Sequence, residues 1–138
     1  MGARREGREL ALMLLYREAI TGLDDAVVPG IEEADPRARS FAESLVRGVR
    51  EHLGAIDAAI SSASEHWDIG RMGAVDKTVL RIGVYEILHE RGTPLGVIIN
   101  EAVEAARKYS SEDCGKFVNG VLDHIAGESR PAERRGGE

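Results

Sequence analysis

Several features that would indicate other protein classes are scarce or missing from this sequence. It has one cysteine, four prolines and 4% aromatic residues in 138 positions. The single cysteine, Cys114, excludes a disulfide framework, suits a reducing compartment and lies where we expect the core. No apolar run approaches the ~20 residues of a membrane span, and no signal-type apolar region precedes a small-residue cleavage site. We therefore expect a cytoplasmic protein with no membrane contact.

Motifs that carry catalysis or bind cofactors are missing as well. The four histidines, His52, His66, His89 and His124, have no metal-ligand spacing, and none pairs in sequence with Cys114. No serine lies in a nucleophile elbow, and the glycines form neither a phosphate loop nor a dinucleotide-binding fingerprint. We expect no enzyme activity, no catalytic residue, no metal and no cofactor.

The sequence also lacks an excess of positive charge. Its 18 basic and 24 acidic residues give a net charge of −6, which argues against a general nucleic-acid coat protein. Near its start, however, the chain carries Arg4, Arg5 and Arg8 against Glu6, whereas residues 24–35 hold five acids and no base. A helix dipole disfavours cations at the N-terminal end, so these arginines either form a solvated, frayed terminus or serve a use other than stability.

Apolar residues spaced three and four positions apart recur along most of the chain and predict an all-helical fold. The predicted helices cover about 4–21, 36–53, 55–63, 74–91, 94–108 and 111–126. We expect one domain over residues 1–127, with subdomains of about 1–53 and 54–127, followed by a disordered tail over 128–138. Trp67, in the turn before the fourth helix, is predicted to anchor two helical layers.

Caps and breaks support these helix boundaries. Asp35 before Pro36 predicts one helix start, and Thr93 before Pro94 predicts another. Ser110 or Ser111 restarts the chain, and Ser110 with Asp113 resembles a capping box. Breaks are expected at Gly54 and at Gly127. Gly48 and Gly120 lie inside helices, where glycine costs about 1 kcal/mol relative to alanine, so we expect both to allow close helix contact.

Two further polar or aromatic groups have alternative interpretations. Asn100 and Glu101 are either buried hydrogen-bonding groups that tie helices together or contacts to a partner. Lys116 and Phe117 stand near the start of the last helix, where backbone N–H groups and the dipole attract anions. They could hold a single-stranded nucleic acid by phosphate contact and stacking, although Phe117 also fits the apolar stripe of its helix.

Three motifs follow one another along the chain. They are Leu80-Arg81-Ile82-Gly83-Val84-Tyr85-Glu86 with Trp67 before it, Ile99-Asn100-Glu101-Ala102-Val103 with Lys108-Tyr109, and Lys116-Phe117-Val118-Asn119-Gly120-Val121-Leu122-Asp123. In this order they resemble the NusB family of bacterial transcription antitermination factors. The resemblance covers residues 4–126. It implies an all-helical fold of about seven helices in two subdomains.

The resemblance also implies a function and partners. The family pairs with the tenth small-subunit ribosomal protein, NusE, binds boxA RNA in nascent ribosomal RNA transcripts and helps RNA polymerase pass terminators as part of an antitermination complex. The positions that match its RNA path are Arg4, Arg5, Arg8, Tyr16, Asp113, Lys116 and Phe117. Asp76 matches an acidic position that faces the basic ribosomal partner.

The arginine arm departs from the family's pattern at Glu6, where another base is usual, and at Gly7, which is expected to loosen the helix. This predicts low RNA affinity for the chain alone. Arg8→Ala is expected to leave thermal unfolding nearly unchanged. Two alternatives stay open: a helical protein-interaction module with weak or lost RNA binding, including a homodimer that buries the arm, and an accessory domain that works with an enzyme modifying ribosomal RNA.

Overall fold

The computed structural model describes residues 2–22, 31–64 and 69–136, and these residues are helical without any strand. The α-helices are α1 (Gly2–Thr21), α2 (Pro36–Glu51), α3 (Leu53–Ala63), α4 (Ala74–His89), α5 (Leu95–Tyr109), α6 (Glu112–Ser129) and α7 (Pro131–Gly136). Two short 3-10 turns cover Ile31–Glu33 and Ile69–Arg71. The predicted all-helical fold is confirmed. Trp67 and residues 24–30 of the acidic segment lie outside the described residues.

Helix α4 is the central element of the fold. It packs against α1, α2, α3, α5 and α6, while α1 lies along α2 and α5 lies along α6. Leu80, Val84 and Ile87 of α4 are fully buried, as expected of a helix with neighbours on several sides. No helix within the described ranges is long and apolar enough to cross a membrane.

The start of α2 agrees with the prediction, whereas the break after α2 falls elsewhere. The Asp35 side chain accepts a hydrogen bond from the Arg37 backbone N–H, and Pro36 occupies the first helical position. The break between α2 and α3 lies at His52, so Gly54 is inside α3 and breaks nothing. Glycine lowers helix propensity, but at Gly54 that cost is not enough to end a helix.

The C-terminal segment is helical where disorder was predicted. Helix α6 continues past Gly127 to Ser129, and α7 follows from residue 131. Between them lies Arg130, whose side chain is buried. Its guanidinium donates to the carbonyl oxygens of Ile87, Glu86, Glu90 and Thr93 at 2.9, 3.0, 2.9 and 2.9 Å. Arg130 therefore caps the end of α4 and the turn after it, where the carbonyl oxygens of Glu86 and Glu90 also accept backbone N–H bonds from Glu90 and Thr93.

The start of α5 uses another cap than the one predicted, and the start of α6 uses one of the two serines that were predicted. Pro94, not Thr93, holds the N-cap position of α5. The backbone N–H of Leu95 donates to the Glu133 carboxylate at 2.6 Å, and this bond holds the pKa of Glu133 below its ordinary value. Of the two predicted serines, Ser111 caps α6, so the interpretation of Ser110 with Asp113 as a capping box is wrong. The segment 130–133 thus closes both sides of the α4–α5 turn.

The two helix-interior glycines have opposite surroundings. A Cβ atom on Gly48 would collide with the Tyr85 ring, so the predicted close contact between helices is confirmed there. A Cβ atom on Gly120 would meet nothing within 4 Å, and Asn119 beside it is exposed. The interpretation of Asn119-Gly120 as a packing feature is therefore wrong. The close approach between α4 and α6 occurs at Gly83, whose Cβ would lie 2.9 Å from Leu122.

Replacing Arg130 by alanine should destabilise the fold although the residue lies in a polar tail. We expect Arg130→Ala to lower the free energy of unfolding by roughly 2–3 kcal/mol, because buried carbonyl groups lose a charged donor. Urea unfolding followed by circular dichroism measures this difference. Arg91→Ala is the matched control, since exposed Arg91 donates one bond to the Ser129 carbonyl. Equal stability of the two variants would contradict the assigned role.

The same substitution at the two glycines should change stability in opposite directions. Gly120→Ala is expected to raise the free energy of unfolding by roughly 0.5–1 kcal/mol, because alanine is the better helix former and meets no neighbour. Gly48→Ala is expected to lower it, because the Tyr85 ring has to move. Chemical denaturation of both variants tests the pair. A destabilised Gly120→Ala protein would show that Gly120 has a structural role after all.

Candidate nucleic-acid interface

The innermost arginine of the N-terminal arm, residues 4–9 of α1, is part of the buried structure. Arg8 Nε and Nη2 each donate to one oxygen of Glu86 on α4, both at 2.8 Å. The Glu86 side chain is only 2% exposed and that of Arg8 12%. Burial alone opposes a charge on Arg8, but the hydrogen bonds and the negative charge of Glu86 outweigh it, so the pKa of Arg8 lies above its ordinary value.

Arg5 forms a similar fork at the surface. Its Nε and Nη2 donate to the two oxygens of Glu101 on α5 at 3.0 and 2.9 Å. The Arg5 side chain is 67% exposed, whereas that of Glu101 is 12% exposed and lies 3.9 Å from Nη1 of Arg8. Glu101 therefore joins α1 to α5, which agrees with the interpretation of this residue as a group that ties helices together. Asn100 beside it is exposed.

The third arginine stacks on an aromatic ring of α2. The guanidinium carbon of Arg4 lies 4.2 Å from the centroid of Phe41, and that of Arg8 lies 5.4 Å away. Gly7 makes this packing possible, because a Cβ atom there would lie 2.9 Å from both the Phe41 ring and the Ala38 carbonyl. Helix α1 runs through Gly7 without a break, so the glycine fits the arm against α2 instead of loosening it.

The two acids of the arm have structural partners. Glu6 accepts a hydrogen bond from the backbone N–H of Asp35, immediately before α2. Glu9 accepts from the Tyr109 hydroxyl at 2.6 Å and from Lys108 at 3.2 Å, and the Tyr109 bond is the main reason why the pKa of Glu9 is lowered. These acids attach α1 to α2 and to the end of α5.

The predicted residues on α6 lie at its exposed start. Asp113 and Lys116 are exposed, and Phe117 is half-buried and packs against the core. Ser111 accepts a hydrogen bond from the Cys114 backbone N–H at 3.0 Å and so fixes the first turn. The α6 start therefore presents one cation and part of an aromatic ring beside the N–H groups of a helix terminus.

Asp76 lies next to this helix start. It is half-buried in the first turn of α4 and hydrogen-bonds with the thiol of Cys114. Burial, followed by this contact with Asp76, raises the pKa of Cys114 to about 12, so the thiol stays protonated. Cys114 is a core residue, as predicted. The structure brings the predicted partner position and the predicted RNA positions of α6 together.

Tyr16 continues the surface of α1 away from the arm. Glu9 and Tyr16 are seven residues apart and share a helix face, along which Met13, Tyr16 and Ile20 are exposed. Because Glu9 contacts Tyr109, and α6 begins three residues after Tyr109, the middle of α1 and the start of α6 lie beside the same turn.

Comparison with known proteins identifies this architecture. The sequence model described as the NusB family matches residues 5–127. The chain belongs to the NusB family. The transcription antitermination protein NusB of Geobacter sulfurreducens is 49% identical over 131 residues, which cover 91% of this chain and 95% of that protein.

Two solved structures have the same fold. T. maritima NusB is 36% identical with a TM-score of 0.84, and the alignment covers 96% of each chain. A structure of the antitermination factors NusB and NusE in complex with dsRNA aligns at 32% identity and a TM-score of 0.78, over 93% of this chain and 98% of that one.

The NusB motifs contain both carboxylates that hold the arm but did not reveal their arginine partners. Glu86 falls on the apolar stripe of α4, and a glutamate at such a position signals a buried partner. Nothing in the spacing joined Glu101 to Arg5, 96 residues away. Sequence spacing also missed the stacking of His52 on His89, whose ring centroids are 4.0 Å apart. Within the described residues, no group of three or more His, Cys, Asp or Glu could hold a metal ion.

The expectation that Arg8→Ala leaves this NusB-family fold unchanged is contradicted by the buried pair. We now expect Arg8→Ala to lower the free energy of unfolding by roughly 3–5 kcal/mol, because it leaves the Glu86 carboxylate buried without a cation. Arg5→Ala is the control and should leave unfolding almost unchanged, since its ion pair is exposed. Thermal and urea unfolding measure both.

A paired replacement separates the lost ion pair from lost packing. Arg8→Met combined with Glu86→Leu should recover most of the stability, because apolar side chains of similar volume avoid the cost of desolvating two charges. Wild-type stability of Arg8→Ala alone would show that Glu86 tolerates isolation.

Proposed function

We propose that this chain is a transcription antitermination factor that binds boxA RNA of nascent ribosomal RNA transcripts together with NusE, the tenth small-subunit ribosomal protein. In this role it acts in the cytoplasm as a non-enzymatic adaptor within the RNA polymerase antitermination complex. Family membership, established over residues 5–127, supports this function. The related complex of NusB and NusE with dsRNA supports the choice of partners.

The observation that carries the proposal is the shared position of the basic arm and the α6 start around the α5–α6 turn. Lys108 and Tyr109 at the end of α5 contact Glu9 of the arm, and α6 begins directly after them. We assign Lys116 to phosphate contact and Phe117 and Tyr16 to stacking on bases. Arg4, Arg5 and Asp113 complete this surface. We call the surface formed by these residues the RNA edge.

Arg8 has a different role in the proposal. Its fork to Glu86 is buried, so breaking it would isolate a carboxylate with 2% exposure. We propose that Arg8 positions the arm on α4 and leaves direct phosphate contact to Arg4 and Arg5.

Asp76 is proposed to face NusE. It is half-exposed beside the α6 start, and an acidic surface suits a basic partner because complementary charge favours encounter and orientation. RNA and NusE would then occupy adjoining surfaces, which would let NusE add contacts to bound RNA.

The experiment is a measurement of boxA RNA affinity by the chain alone and with NusE, over a range of salt concentrations. We expect sequence-selective binding that NusE strengthens, with a shallow salt dependence because each phosphate contact to a single strand releases only ~0.7 ions. Phe117→Leu keeps apolar packing but removes the aromatic face. We expect it to weaken binding by roughly 5- to 100-fold, the equivalent of ~1–3 kcal/mol for one stacked base.

Controls distinguish the RNA edge from general charge and from the protein interface. Arg47→Ala removes an exposed cation of α2 and should change RNA affinity little. Asp76→Asn should weaken NusE binding without changing RNA binding by the chain alone. Absence of selective binding to single-stranded or double-stranded boxA RNA, with or without NusE, would reject the adaptor and favour a protein-interaction module.

A further inference from the structure

We propose that Glu101 competes with RNA phosphate for Arg5, so that the free protein holds part of its own RNA edge closed. This inference rests on the proposed function and adds a regulatory contact to it. In the free protein the Glu101 carboxylate accepts two hydrogen bonds from the Arg5 guanidinium. A phosphate group takes the place of Glu101 when RNA binds.

The geometry of the Arg5 fork makes the two anions direct competitors. Arg5 uses Nε and Nη2, one edge of the guanidinium, to donate to the two Glu101 oxygens at 3.0 and 2.9 Å. Arginine presents the same planar edge to two oxygens of a phosphate. One edge cannot hold both groups, so bidentate binding of phosphate through these two donors requires that Glu101 leave.

Exposure shows which partner can leave. The Arg5 side chain is 67% exposed and can turn towards a ligand, whereas Glu101 is 12% exposed and stays on α5. Arg8 Nη1 lies 3.9 Å from Glu101, so the carboxylate keeps a cation nearby after Arg5 departs. Exposed ion pairs contribute little to stability, and this one can open without isolating a buried charge.

The neighbouring arginine cannot take part in the same exchange. Arg8 is held by Glu86, whose side chain is 2% exposed, and its release would leave that carboxylate buried and unpaired. Arg8 therefore fixes the arm and keeps a positive charge 3.9 Å from Glu101, while Arg5 exchanges partners. Glu9 and Glu104 add further negative charge around Arg5. The paired hydrogen bonds from the Arg5 guanidinium go to Glu101.

A double-mutant cycle tests the competition. Wild type, Glu101→Gln, Arg5→Ala and the double variant are compared by fluorescence anisotropy with a labelled single-stranded boxA RNA. Glu101→Gln should tighten RNA binding by about two- to fivefold, the range of an exposed ion pair. The same change should have no effect when Arg5 is already alanine, because the contested cation is gone.

Glu104→Gln is the matched control. It removes an equal charge one turn further along α5, where Glu104 pairs with Arg107 at 3.1 Å. A general loss of negative charge would tighten RNA binding in both variants and in both Arg5 backgrounds. Tighter RNA binding in both variants and both backgrounds overturns the competition. Unchanged RNA affinity of Glu101→Gln also overturns it. Thermal unfolding of Glu101→Gln checks that the arm still packs.

A second measurement needs no RNA and separates the competition from the proposed function. Inorganic phosphate is titrated while the side-chain Nε–H resonance of Arg5 is followed by NMR. Phosphate should shift this resonance at a lower concentration in Glu101→Gln than in wild type. Equal titrations overturn the competition even if the protein binds boxA RNA. If Arg5→Ala leaves RNA affinity unchanged, Arg5 does not contact RNA and the competition is rejected. The proposed function is tested separately, by whether the wild-type protein binds boxA RNA selectively.

Discussion

The buried pair of Arg8 and Glu86 fixes where α1 can lie on the rest of the molecule. Removing two charges from water costs several kcal/mol for each ion, and only close, forked geometry offsets that cost. Both contacts of the fork are 2.8 Å long, so α1 has one register against α4. With Arg8 in place, Arg5 lies one turn earlier and meets Glu101, and Gly7 faces Phe41. The arm is thus an ordered part of the helix.

Because of this constraint, the three arginines of the arm differ in how available they are to a ligand. Arg8 is buried, Arg5 is exposed but forked by Glu101, and Arg4 lies against the Phe41 ring. If the arm binds RNA as proposed, a count of its arginines in the sequence therefore overestimates the phosphate contacts that it can make. The salt dependence of RNA binding follows the number of contacts actually formed, so it should reflect two arginines of the arm and not three.

Sequence patterns located most of the helices because apolar spacing is a local property. They also located the Asp35 cap, since both the capping side chain and the proline lie beside the helix that they start. The prediction of a disordered tail was wrong because the contacts that order the tail are distant in sequence. Arg130 contacts carbonyl groups about 40 residues away, and Glu133 caps a helix that begins 38 residues earlier. In sequence these residues have the polar composition of a solvated tail.

The glycines show the same limit at single positions. Low helix propensity marks Gly48 and Gly120 alike, because propensity measures the cost of a residue and not its neighbours. Only the tertiary arrangement places the Tyr85 ring over one and open space beside the other. The candidate site behaves likewise. The local charge pattern and the family resemblance selected the arginines, but neither paired them with the carboxylates that hold them, which lie 78 and 96 residues away.

The acids of the arm change how its charge should be interpreted. In the sequence, Glu6 and Glu9 lower the net positive charge of the arm. In the fold, Glu6 accepts from the Asp35 backbone and Glu9 binds Lys108 and Tyr109, so each acid attaches the arm to a neighbouring helix. Removing them to strengthen the positive charge would therefore also loosen the element that presents it. In the proposed competition, RNA affinity depends on which arginines can exchange a carboxylate for a phosphate, and burial determines this more than net charge does.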